Sequence, residues 1–136
     1  MNNRSLAEDY LTRATHRLAA LEVLFERESW ADVVRESQEL VELALKSLLR
    51  YSSIEVPRVH DVSQILISES GRLPEIVRPR IEDLVATSRS LRRDRELAFY
   101  GSEDLTPSDF YQRPDAELAR AGARRVVEAV TAAVTR

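Results

Sequence analysis

The sequence predicts an all-α protein, an up-and-down bundle of four main helices and one shorter one, on three observations. Apolar residues recur at steps of three and four along several long segments, which is the spacing of one helical face. Chain breakers are scarce, with three glycines and five prolines in 136 residues. Alanine, leucine, glutamate and arginine dominate, and all of them favour helix. The length suits one domain with its own core. Residues 1–136 are therefore read as a single domain, without internal repeat or low-complexity linker.

The elements follow in order. Ser5 and Glu8 have capping-box spacing, and Leu6, Tyr10, Ala14, Leu18, Leu21 and Phe25 then mark the inner face of a first helix. The period breaks at residues 27–29. Ser29 and Asp32 frame a second start, after which Trp30, Val33, Ser37, Leu40, Ala44 and Leu48 carry the stripe, broadened by Val34, Val41, Leu45 and Leu49. The tight turn between two long helices predicts an antiparallel hairpin. Pro57 stands in a connection, since a proline inside a helix costs roughly 3 kcal/mol. Asp61 and Gln64 have the spacing of a box opening a short third helix that ends near Gly71. A fourth helix starts near Pro79, a suitable first-turn residue, with Ile81, Leu84, Val85, Ser88 and Leu91 inward. Residues 101–114 read as the longest irregular segment. A last helix spans about 115–135, with Ala116, Ala119, Ala123, Val126, Val127 and Val130 inward. Gly122 inside it implies a close helix contact there.

Composition narrows the function classes. Cysteine is absent, which removes disulfides and thiolate metal sites. The only histidines are His16 and His60, and no carboxylates cluster beside either at ligand spacing, so neither a metal nor another cofactor is expected. The net charge of −3 does not suit a globally basic nucleic-acid binder. "MNNRSLAEDYL" has no apolar run of the signal-peptide type, and no stretch approaches the length of a membrane span. The expectation is a cytoplasmic protein without a membrane partner.

Local charge is another matter. "SRSLRRDRELAFYG", residues 88–101, holds Arg89, Arg92, Arg93 and Arg95, then Phe99 and Tyr100. One reading is a solvated helix end, with Asp94 and Glu96 offsetting part of the charge. The other is an anion pocket, because a guanidinium fork grips phosphate in two places. Tyr100 or Tyr111 would then stack on a base. Glu42 and Lys46 form an i, i+4 pair, either a simple surface ion pair or a glutamate that orients an arginine beside a second phosphate contact. His60 caps or packs, or else lines a polar cleft. Trp30 anchors the hairpin end or meets a second copy.

The order of these pieces resembles the HEPN domain. A long helix pair with "QELVELALKSLL", then "VPRVHDVSQIL", then a late arginine-rich helix, together with "DAELARAGARRVVEAV", carries the likeness over almost the whole chain. Gln38, Glu42, Ala44, Leu45, Lys46, His60 and Asp61 are its most specific part. The resemblance implies a homodimer and one of two activities. Some HEPN domains are metal-independent ribonucleases, in which an arginine is followed after four to six residues by a histidine, and two such sites meet across the dimer. Others lack the histidine and occur beside minimal nucleotidyltransferases in two-component operons, often of toxin–antitoxin type.

Here the histidine slots hold other residues. Counted from Arg93 they are Ala98, Phe99 and Tyr100, and from Arg95 they are Tyr100, Gly101 and Ser102. A tyrosine, with an unperturbed pKa of about 10, is a poor general base at neutral pH. The expectation is thus a non-catalytic HEPN module. It would bind a nucleotide or RNA phosphate through Arg92, Arg93, Arg95, Tyr100, Tyr111, Lys46, Glu42 and His60, and would partner a minimal nucleotidyltransferase. A ribonuclease toxin with a degenerate Arg/Tyr site, and a plain helical scaffold, are the alternatives.

Overall fold

The computed structural model describes the backbone of residues 3–56, 61–100 and 106–134, and the side chains of these residues apart from 93–100. Six helices run in the order α1 (Asn3–Glu26), α2 (Trp30–Tyr51), α3 (Val62–Ser68), α4 (Ile81–Tyr100), α5 (Pro107–Phe110) and α6 (Arg113–Val134). Single 3-10 turns at Ser70–Arg72 and Arg78–Arg80 lead from α3 into α4. The described residues contain no strand, so the all-α expectation holds, with one short helix more than the sequence suggested.

α2 is the centre. It packs on each of the other five helices. Val33, Leu40, Ala44, Leu45, Leu48 and Leu49 are all fully buried along it, a stripe far wider than a helix needs to cover one neighbour. α1 lies antiparallel to it. Phe25 meets Trp30 edge-to-face with ring centroids 4.9 Å apart at one end of the hairpin. At the other end the buried Ser47 hydroxyl donates to the Ala7 carbonyl at 2.6 Å. Trp30 is thus the expected hairpin-end anchor, and the Arg113 guanidinium lies 5.6 Å from its ring centre. The chain reverses between α1 and α2 with Glu28 at φ 58°, a left-handed backbone that glycine adopts more readily.

Several helix starts differ from the sequence reading, for hydrogen-bonding reasons. α1 begins at Asn3, so Ser5 and Glu8 lie inside it and frame no cap. Ser29 holds the N-cap position of α2, but its hydroxyl donates to Asp32 Oδ2 at 2.6 Å and no side-chain cap bond forms. Asp61 does cap α3, accepting from the Ser63 amide at 2.9 Å, while Gln64 turns away to an arginine of α4. The segment read as irregular contains α5, whose capping box is Thr106 with Asp109. α6 starts two residues earlier than expected, and Asp115 Oδ2 accepts from the Gln112 amide at 2.9 Å.

The inner faces follow the periodicity closely. Every inward residue assigned to the last helix is buried, and Leu84, Val85, Ser88 and Leu91 are buried on α4. On α1 the seam is shifted at its start: Ala7 and Leu11 are buried, while Leu6 and Tyr10 are half-buried. Gly122 is buried in α6, where an added Cβ would lie 2.9 Å from Thr87 Cγ2 on α4. The close helix contact implied by that glycine is therefore present, and its partner is a β-branched side chain with little freedom at χ1.

Two opposed terms decide the effect of Gly122→Ala. Overpacking costs about 1–3 kcal/mol, and the gain in helix propensity returns up to about 1 kcal/mol. Gly122→Ala is expected to destabilise the fold by about 1–2 kcal/mol. In the background of Thr87→Ser, which removes the opposing methyl, it is expected to stabilise instead. Urea unfolding of the four proteins of this cycle checks the reversal of sign.

Candidate functional site

The polar groups of α2, α3 and α4 converge at one corner of the bundle. Arg89 and Arg92 stand three apart on α4, so both face α3. Arg92 Nη1 lies 3.2 Å from Asp61 Oδ1. Arg89 Nε donates to Ser63 Oγ at 3.1 Å, and its Nη2 donates to Gln64 Oε1 at 3.1 Å. Ser63 Oγ donates in turn to Asp61 Oδ1 at 2.8 Å. The arginines are therefore satisfied differently. Arg92 pairs directly with a carboxylate, whereas the hydrogen bonds of Arg89 go to the neutral oxygens of Ser63 and Gln64, and its charge acts on Asp61 from further away.

Opposing influences act on the Asp61 carboxyl. Burial works to raise its pKa. The Ser63 hydroxyl and amide, then the Arg92 and Arg89 charges, outweigh burial and hold it below the ordinary value of 3.8. At neutral pH this residue is a carboxylate that caps a helix and binds an arginine at once.

α2 supplies the facing wall. Glu42 Oε1 lies 3.2 Å from Lys46 Nζ, and Gln38 Nε2 donates to Glu42 Oε2 at 3.1 Å. Gln38, Val41, Glu42, Val62, Ser88 and Arg92 enclose a hollow of about 10 Å³, room for one water molecule at most. Gln38 is 5% exposed, and its Oε1 accepts no hydrogen bond among the described residues. On the far side of Arg89, Ile67, Ile81, Val85 and Ala86 form a broader open hollow of about 500 Å³ with Glu82 and Ser70.

The expected site residues are thus partly brought together. Arg92, Glu42 and Lys46 meet at this corner, although Glu42 takes Gln38 and Lys46 of its own helix and the arginine carboxylate is Asp61. The backbone of α4 carries Arg93, Arg95 and Tyr100, whose side chains lie outside the described residues, as does His60. Tyr111 is placed elsewhere. It is 3% exposed, in the wall of a cavity of about 320 Å³ between α4 and α6 that shares no residue with the small hollow between Gln38 and Arg92. The ring thus stands apart from the polar cluster of α3 and α4. His16 is exposed. Sequence reasoning counted Arg89 in the arginine cluster without naming it a site residue, and it missed Ser63 and Gln64. The i, i+3 spacing of Arg89 and Arg92 was the available signal. Among the described residues no three His, Cys, Asp or Glu side chains are placed to hold a metal ion, and no helix is long and apolar enough to cross a membrane.

A family model described as the HEPN domain matches residues 7–133. No curated protein and no solved structure matches the chain.

A carboxylate with a depressed pKa stabilises the fold above its unfolded pKa, and that contribution fades as pH falls through the folded value. Asp61→Asn keeps a good N-cap but removes the charge. Its stability is expected to fall less steeply than that of the wild type below a pH of about 4, read from urea midpoints across an acid series. Asp61→Ala is expected to lose about 1 kcal/mol at neutral pH as well, from the missing cap.

Proposed function

The chain belongs to the HEPN domain family, and from that premise we propose that it binds the phosphate of a nucleotide or RNA at the α2–α3–α4 corner, as a non-catalytic module that partners a minimal nucleotidyltransferase. The observation that carries the reading is the pair Arg89 and Arg92. They reach α3 side by side, and Arg89 makes no direct ion pair with a carboxylate among the described residues. Lys46, paired with Glu42 on α2, is a further phosphate contact in this reading. Arg93 and Arg95 extend the same cationic stretch in sequence, with Tyr100 as the stacking ring. Neither Tyr111 nor a metal enters the reading.

The non-catalytic part rests on chemistry. Cleavage through a ribose 2′-hydroxyl needs a group that takes its proton, and the slots after Arg93 and Arg95 hold no histidine. The partner and the toxin–antitoxin setting come from the family, in which histidine-free members occur beside such nucleotidyltransferases. A tagged copy purified from its native cells is expected to bring down a small nucleotidyltransferase in equal amount.

Binding of a short single-stranded RNA and of ATP, followed by fluorescence polarisation, tests the site. Affinity is expected to fall as salt rises, with a shallower slope in Arg89→Ala and Arg92→Ala, each of which weakens binding roughly tenfold. Salt-independent binding, or binding unchanged in both variants, removes the reading. RNA cut without added metal, and left intact by Arg93→Ala, brings back the ribonuclease alternative.

A further inference from the structure

Asp61 already occupies the guanidinium that a ligand needs. We propose that Asp61 acts as a built-in competitor at Arg92, so that the corner selects a terminal phosphate monoester over the phosphodiesters of a nucleic-acid backbone. The inference rests on the function proposed above and names the chemical class of its ligand.

The argument is one of charge and tethering. A phosphodiester carries one negative charge, as does the Asp61 carboxylate. Exchanging one for the other at Arg92 gains little electrostatically, and the carboxylate has the advantage of being in place already, with no translational freedom to lose. A phosphate monoester is different, because it carries a charge of about −1.5 to −2 at neutral pH and three acceptor oxygens. Arg89, three residues away, is placed to take the additional charge, since its present partners Ser63 and Gln64 are neutral. Only the more highly charged group outcompetes the carboxylate and engages both guanidinium forks.

The geometry allows the exchange. The Arg92 side chain is 51% exposed and that of Asp61 37% exposed, so the ion pair opens directly to solvent. Displacement does not strand Asp61, because its Oδ1 still accepts from the Ser63 amide at 2.9 Å and from the Ser63 hydroxyl at 2.8 Å. The cap of α3 therefore survives the loss of Arg92. Arg89 keeps its anchor on Gln64 even when Ser63 turns fully to Asp61.

The test compares a short fluorescent RNA bearing a 5′-phosphate with the same RNA ending in a 5′-hydroxyl, using the wild type, Asp61→Asn and Arg92→Ala. Adenosine monophosphate and adenosine serve as competitors. The wild type is expected to prefer the phosphorylated end roughly tenfold, the yield of one additional charge near a surface guanidinium. Asp61→Asn is expected to bind the hydroxyl-ended RNA more tightly than the wild type does and to lose most of the preference. Competition by adenosine monophosphate but not adenosine assigns the site to mononucleotides. Failure of both to compete, with the preference kept, assigns it to RNA ends. Either result supports the proposal.

Equal binding of the two RNAs by the wild type, weakened in Arg92→Ala, overturns the proposal and leaves the phosphate-binding function standing. An Asp61→Asn protein with unchanged affinities overturns it as well. Absence of binding by both the wild type and Asp61→Asn overturns this inference together with the function it rests on. Circular dichroism checks the fold of each variant, and Asp61→Ser, which also keeps a capping oxygen, replaces the asparagine variant if that one does not fold.

Discussion

Everything in this bundle depends on α2 being buried on nearly every side. A helix that packs on five others has little length left for solvent contacts, and two groups of its polar residues show how they are placed. Ser37 and Ser47 are small enough to sit in the core, and Ser47 also ties α1 down through its hydroxyl. Gln38, Glu42 and Lys46 occupy the strip where α3 and α4 leave room, and they hold one another along the helix. The polar wall of the corner is a consequence of where α2 runs out of apolar neighbours.

The corner is assembled from a short helix that has little else to hold it. α3 has seven residues, below the length at which a helix is stable by itself, so its packing and its cap must fix it. Val62, Ile65 and Leu66 supply the packing. Asp61 supplies the cap and, with Ser63 and Gln64, a polar attachment to α4 through two arginines. The same side chains that complete the fold here also set the charge of the corner, so the cap and the charge of Asp61 are not separable by deletion. Replacing it by asparagine separates them, because the amide oxygen caps as the carboxylate does but carries no charge.

The fold was largely legible in the sequence. Apolar spacing located the five longer helices and most of the inner faces, because burial on a helix has a period that single residues cannot disguise. What failed was local hydrogen bonding. Ser29 has the right spacing for a cap but gives its proton to Asp32, and α5 is a single turn defined by Thr106 and Asp109, too short for any period to show. The site was half legible. Arg92, Glu42 and Lys46 were marked by charge, and Asp61 only as a helix start. Its pairing with Arg92 joins residues about thirty positions apart, and Arg89 finds Ser63 and Gln64 across a similar gap. Such links depend on how α3 lies against α4, which no local pattern encodes. The burial of Tyr111 was equally hidden, because it lies in the irregular-looking segment where no apolar period marks an inner face.

The tight approach of Gly122 to Thr87 has a bearing on the arginines as well. Thr87 lies half a turn before Arg89 on α4, so the backbone from which Arg89 and Arg92 project starts beside the contact with Gly122 of α6. A methyl added at Gly122 would press on α4 half a turn from Arg89. The packing of α6 is thus felt on the helix that carries both guanidinium groups, and a change deep in the core can reach the surface cluster through one rigid element.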